Sequence, residues 1–214
     1  MRSAGVIRTV LRLLAAAWLL AATPAIAQPG GLQCLVDASR EQIGVTLHYD
    51  PAYVRLEYPG GDVPPERGVC TDVLIRAWRR LGIDLQRLVH EDMRAQFGRY
   101  PQNWGLRGPD RNIDHRRVPN LATFFTRHGQ SLGIVGADDA FLPGDMVTWR
   151  LPSGVPHIGI VSERKAPSGT PLVVHNIGAG AREEDMLRSF VITGHYRYRP
   201  AGLPEACSRS ADDR

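Results

Sequence analysis

Cys70, His157 and His175 are the residues whose types and surroundings best assemble a reaction. Cys70 stands where a polar turn, Pro64-Pro65-Glu66-Arg67-Gly68-Val69, runs into an amphipathic segment. Val73, Leu74, Ala77, Trp78 and Leu81 recur there at three- and four-residue steps, and Gly82 follows as a left-handed stop. The spacing predicts a helix that starts at or beside Cys70. Free N–H groups and the positive dipole end of such a start favour thiolate, the form of sulfur that attacks a carbonyl carbon. The expected thiol is therefore more acidic than an ordinary cysteine. On position alone a second reading stays open, in which Cys70 is a small core residue or half of a disulfide.

A sulfur nucleophile needs a base within hydrogen-bond reach and a third group that holds the base in one tautomer. Of seven histidines, His157 opens the run His157-Ile158-Gly159-Ile160-Val161-Ser162, and His175 ends Leu172-Val173-Val174-His175-Asn176. Folded as a hairpin around Pro167 to Thr170, these runs set the two histidines side by side, as base and orienter. The Cys70 sulfur and a ring nitrogen of His157 are then expected within about 4 Å. Asn176 is the alternative orienter. Strand alternation lets only one of His175 and Asn176 face Cys70, and His175 is the expected one.

Other polar groups have two readings each. Asp72 is either a charge at the helix N-terminus or part of a substrate site. Asp114-His115-Arg116-Arg117 is either a solvated turn with local ion pairs or a place where an arginine grips a substrate carboxylate through two parallel N–H bonds. His90, Asp92 and His115 match no zinc spacing, so neither a metal nor a cofactor is expected.

The elements that must position these groups are legible in outline. Leu35 to Ile43 reads as a helix, Val45 to Val54 as extended chain, and Thr71 onward as the cysteine helix. Asp84 caps a helix to Phe97, Pro101 to Pro109 is loop, and Asn120 caps Leu121 to His128 with Gly129 closing it. From Pro143 the period changes to two, with strands at 146–151, 158–164, 172–176 and 190–198. Helices first and then an antiparallel run make an α+β domain, with the cysteine helix on one face of the sheet.

The chain ends supply the compartment. Arg2, Arg8 and Arg12 precede an apolar run from Leu13 to Ala22, and Ala25-Ile26-Ala27 offers small residues for cleavage before Gln28. Residues 1–27 read as a secretory signal too short for a stable membrane anchor, 28–200 as one domain, and 201–214 as a tail. Removing the first 27 of 214 residues leaves 187, enough for a single core. The signal also takes three arginines and no acid, leaving 23 basic against 22 acidic residues. A balanced chain lacks the net basic face of a general nucleic-acid binder. In an oxidising compartment three cysteines leave one unpaired, and domain termini tend to lie close, so Cys34 with Cys207 is the economical pair.

Several motifs carry a resemblance. Cys70 at a helix start, Pro143-Gly144-Asp145-Met146-Val147, His157-Ile158-Gly159-Ile160-Val161 and Val174-His175-Asn176 follow the order of NlpC-type papain-like cysteine peptidases. Tyr49-Asp50-Pro51-Ala52-Tyr53, Tyr58-Pro59-Gly60-Gly61-Asp62-Val63, Gly68-Val69-Cys70-Thr71-Asp72-Val73, His90-Glu91-Asp92-Met93 and the segment Asn112 to Leu121 are similar to the domain-of-unknown-function 1287 family. This likeness covers about Leu35 to Tyr198. It implies an α+β, papain-like (NlpC-type) fold, with N-terminal helices packed on a small antiparallel sheet. It departs at one place, where the peptidases usually carry Asp before the cysteine and this chain carries Val69. The expected function is an exported cysteine hydrolase, periplasmic or secreted, that cuts an amide or peptide bond of cell-wall peptidoglycan. Peptidoglycan or its peptide stems would be the partner. The alternative is a catalytically silent envelope-binding module on the same fold.

Overall fold

Val73, Leu74, Ala77 and Trp78 lose all contact with water, and the stripe they form seats the cysteine helix against the sheet. The computed structural model describes residues 32–134, 141–203 and 207. The expected signal, 1–27, and most of the tail lie outside them. The chain runs α1 (Gln33–Arg40), β1 (His48–Tyr49), β2 (Arg67–Gly68), α2 (Cys70–Arg80), α3 (Leu85–Gln96) and α4 (Val118–His128). It then forms β3 (Gln130–Ser131), β4 (Met146–Arg150), β5 (Pro156–Lys165), β6 (Pro171–His175), β7 (Arg182–Glu184) and β8 (Val191–Arg197). Among the described residues β3 to β8 make one antiparallel sheet in the order β3-β8-β4-β5-β6-β7, and β1 pairs with β2 in parallel. Helices thus precede an antiparallel sheet, which is the α+β arrangement.

Strand alternation splits the core into two layers. Met146, Ile158, Ile160 and Val174 face the helices, with Leu35, Leu74, Trp78 and Phe125. Val147, Trp149, Val161 and Val173 face the other way, onto Phe141, Met186 and Leu187. The central strands β4, β5 and β6 are buried on both sides over most of their length, so the apolar runs of β5 and β6 are nearly continuous.

Local chemistry explains where the elements stop and start. Asp84 caps α3, its Oδ1 accepting from the Gln86 N–H at 3.0 Å. Gly82 ends α2 at φ +80°. Among the boundaries that differ from expectation, three concern helix ends. α1 ends at Arg40, and the chain continues in turns to Val45. α4 starts at Val118 with Pro119 in its first turn, and Asn120 lies inside it, donating from Nδ2 to the Asp114 carbonyl at 3.1 Å. Gly129 is needed for close approach and not for a left-handed turn: its φ is −127°, and a Cβ there would stand 2.6 Å from the Arg197 carbonyl oxygen.

Cys34, on α1, is bridged to Cys207 with Cα atoms 5.0 Å apart, and Cys70 remains a free thiol. No helix among the described residues is long and apolar enough to cross a membrane.

Candidate functional site

The segment before α2 is pinned from several directions. Asp72, in the first turn, accepts the Val69 N–H on Oδ2 at 2.7 Å. The Gly68 carbonyl accepts from the Asp50 N–H and from Asn176 Nδ2, each at 3.1 Å. Arg116 grips Asp72 with two bonds of 2.9 Å, Nε to Oδ1 and Nη2 to Oδ2, and both side chains are buried. Arg116 also donates to the carbonyls of Asp50 and Ala52 at 3.2 Å. A fork-on-fork pair inside the protein thus fixes the position of Cys70.

Backbone N–H groups of Ile158, Thr71 and Cys70 itself address the Cys70 sulfur. These favour its charged form, but burial outweighs them, and with the Asp72 carboxylate nearby the thiol is pushed up to about 12. The expected acidic thiol is therefore corrected. A helix start lowers a thiol's pKa where water or a cation reaches it, and Cys70 is 3 % exposed.

His157 Nε2 lies 3.1 Å from His175 Nδ1, and His175 Nε2 lies 3.1 Å from Glu184 Oε2. The relay follows from register. Val174 on β6 pairs with Ile160 on β5, which puts His175 on the same face as His157, and β7 sets Arg182 opposite His175. Burial, and then the neighbouring His175, push His157 down to about 3. Burial also lowers His175, against the opposing pull of Glu184. Both rings are neutral at rest.

The His157 ring lies beside that of Trp149, its cross-strand partner on β4, with centroids 5.9 Å apart, and Cys70 packs with Ile158 in the helix-side layer. Among the described residues the resting hydrogen bonds of the sulfur come from backbone amides and none joins it to the imidazole. The sulfur meets the amide of Ile158, the residue after His157. Because Nε2 of His157 is engaged by His175, Nδ1 is the nitrogen left to receive a proton.

Cys70 opens into a cleft of about 320 Å³ whose walls include Tyr49, Trp104, Arg117, Val155 and Pro156. The other sequence-derived residues fall into place around it. Asp72 and Arg116 are used up in the buried pair. Asp114 and His115 are buried and do not line the cleft; the Asp114 carboxylate accepts the Asp110 N–H and a bond from Arg117. Asn176 holds Gly68 and accepts the Gly178 N–H, so it orients the backbone and not an imidazole. Arg117 alone of the charged run lines the cleft with donors that have no protein partner among the described residues.

Tyr49, Trp104, Trp149 and Glu184 escape a reading of the sequence. Glu184 sits in a three-residue strand, too short for alternation to register. The aromatics are single residues in loops or strands, which carry no pattern by themselves.

Residues 36–198 match the family described as "Domain of unknown function (DUF1287)". The chain is 59% identical over 164 residues to "Uncharacterized protein YijF" of Escherichia coli (strain K12), covering 77% of this chain and 80% of that relative. Among solved structures it is similar to NlpC1 from Trichomonas vaginalis at 18% identity and a TM-score of 0.40. That match covers 80% of this chain and spans 46% of the other, about half its length.

Proposed function

We propose an activity for this chain, which belongs to the DUF1287 family: an exported cysteine hydrolase that cuts an amide or peptide bond in cell-wall peptidoglycan. One observation carries the reading. A relay, His157 to His175 to Glu184, starts at the residue next to Ile158, whose amide bonds the Cys70 sulfur. A nucleophile at a helix start, a base and an orienter are the parts covalent acyl transfer requires.

In this mechanism the resting pair is neutral thiol and neutral imidazole. As substrate enters, His157 Nδ1 closes on the sulfur and takes its proton while Sγ bonds to the carbonyl carbon. The carbonyl electrons move to oxygen, where the Cys70 N–H at the start of α2 receives the developing charge. Collapse breaks the C–N bond, and His157 gives its proton to the departing amine. Water, deprotonated by His157, then attacks the thioester, releasing the acid and restoring the thiol. His175 fixes His157 in the tautomer that leaves Nδ1 free to accept.

Incubating the mature protein with purified peptidoglycan and weighing the released fragments tests the reading. Fragments differing by one hydrolysed amide are expected, and Cys70→Ser and His157→Ala should release none. Absence of fragments from the parent protein overturns it. The second reading, a peptide-binding module without turnover, is favoured by the buried neutral thiol, and would show as retention on peptidoglycan without fragments.

A further inference from the structure

The cleft beside Cys70 has a polarity that hydrolysis alone does not require. Its charged lining is cationic, Arg116 and Arg117, and no carboxylate among the described residues lines it. Arg116 is neutralised by the two bonds it donates to Asp72, which leaves Arg117. The guanidinium of Arg117 lies over the Trp104 ring, 4.0 Å from its centroid, and Nη1 donates to Asp114 Oδ1 at 3.1 Å. Asp114 is itself held in place through the Asp110 N–H. The stacked indole sets the plane of the fork and Asp114 sets its rotation. The opposite edge, Nε with Nη2, makes no bond to protein among the described residues. Two parallel N–H donors on a planar, pre-oriented edge match the two oxygens of a carboxylate, a fit that a lysine ammonium does not reproduce. Most of the remaining wall is apolar, with Val69, Val118, Pro119, Val155 and Pro156, and suits a peptide of small side chains.

We propose that Arg117, stacked on Trp104, is a substrate-binding residue that selects peptides carrying a free carboxylate near the bond offered to Cys70. The inference rests on the hydrolase reading of the cleft and names its substrate class: acidic peptides, with the carboxylate unblocked. Ordering of the fork in advance means that little side-chain entropy is lost on binding.

The test uses the full mature chain carrying Cys70→Ser, so that binding is read without turnover, and two probes. One is the soluble peptide stem released from peptidoglycan; the other is the same stem with its carboxylates converted to amides. Calorimetry should show the native stem binding at least about tenfold more tightly than the amidated one. Arg117→Gln should reduce the native stem to the affinity of the amidated stem and leave the amidated stem unchanged. Arg117→Lys should recover only part of the difference, and an unchanged melting temperature in both variants separates recognition from folding. Equal affinity for the two stems, no binding of either, or equal losses for both in Arg117→Gln would each overturn the proposal. Discrimination without peptidoglycan cleavage by the parent would sink the hydrolase reading and keep this one. Cleavage without discrimination would do the reverse.

Discussion

Nε2 of His157 and Nδ1 of His175 stand 3.1 Å apart, and both side chains are buried. One of the two nitrogens must carry the proton and the other accept it, so the pair holds a single proton between neutral rings.

That neutrality is linked to pH. Burial depresses His157 to about 3 in the folded chain, against about 6.5 when unfolded. The unfolded state then binds more protons between those values, so the stability contributed by the neutral ring is complete above pH 6.5 and is lost as pH falls toward 3. Unfolding by urea at pH 7.5 and pH 5 should show the parent losing about 2 kcal/mol more than His157→Gln on acidification. An equal loss in both would mean that His157 is not held neutral.

The Cys70 thiol should alkylate slowly in the folded protein. Burial raises it to about 12, whereas the denatured chain should titrate near about 8.5. Iodoacetamide rates followed from pH 6 to 10 check this directly. A fast reaction with a midpoint near neutrality would show a thiolate already formed at rest, and would replace the neutral-pair mechanism with an ion-pair one.

Asp72 and Arg116 form a buried pair that each partner needs. Replacing either one by Ala strands a charge and should cost about 3–5 kcal/mol, read by chemical denaturation. A loss below about 1 kcal/mol would mean that water reaches the pair and that it does not pin the start of α2.

Glu184 is more than a third exposed, yet it bonds His175 Nε2 at 3.1 Å. Glu184→Gln should leave the melting temperature within a few degrees. It should lower the proposed peptidoglycan hydrolysis at least about tenfold, through loss of the tautomer it enforces. Full activity in this variant would limit the relay to His157 and His175.

The bridge between Cys34 and Cys207 joins residues 173 apart in sequence. Its removal by Cys207→Ser should destabilise the chain by about 2–5 kcal/mol in chemical denaturation, because the unfolded chain is then released from a long closed loop. No change would mean that the bridge is not formed in the isolated protein.

Periodicity and capping chemistry are local, and the sequence determined by itself whatever depends on them. The stripe from Val73 to Leu81 placed α2 and put Cys70 at its start, Asp84 placed α3, and two-residue alternation located β4, β5, β6 and β8 within about two residues. Even the relation between His157 and His175 was legible, because a short hairpin brings neighbouring strand ends together. Only the tertiary structure decided what depends on depth and on partners distant in the chain. Arg116 lies 44 residues from Asp72, and nothing in the run Asp114-His115-Arg116-Arg117 says which of its members is swallowed by a buried pair and which stacks on Trp104 at the cleft. Helix position argued for an acidic thiol; burial beneath the β5 amide reversed the sign, since desolvation is a property of the packed whole and outweighs the dipole of a single helix end. Asn176 and His175 are adjacent in sequence, and the pleat sent one to the backbone before Cys70 and the other to the imidazole of His157.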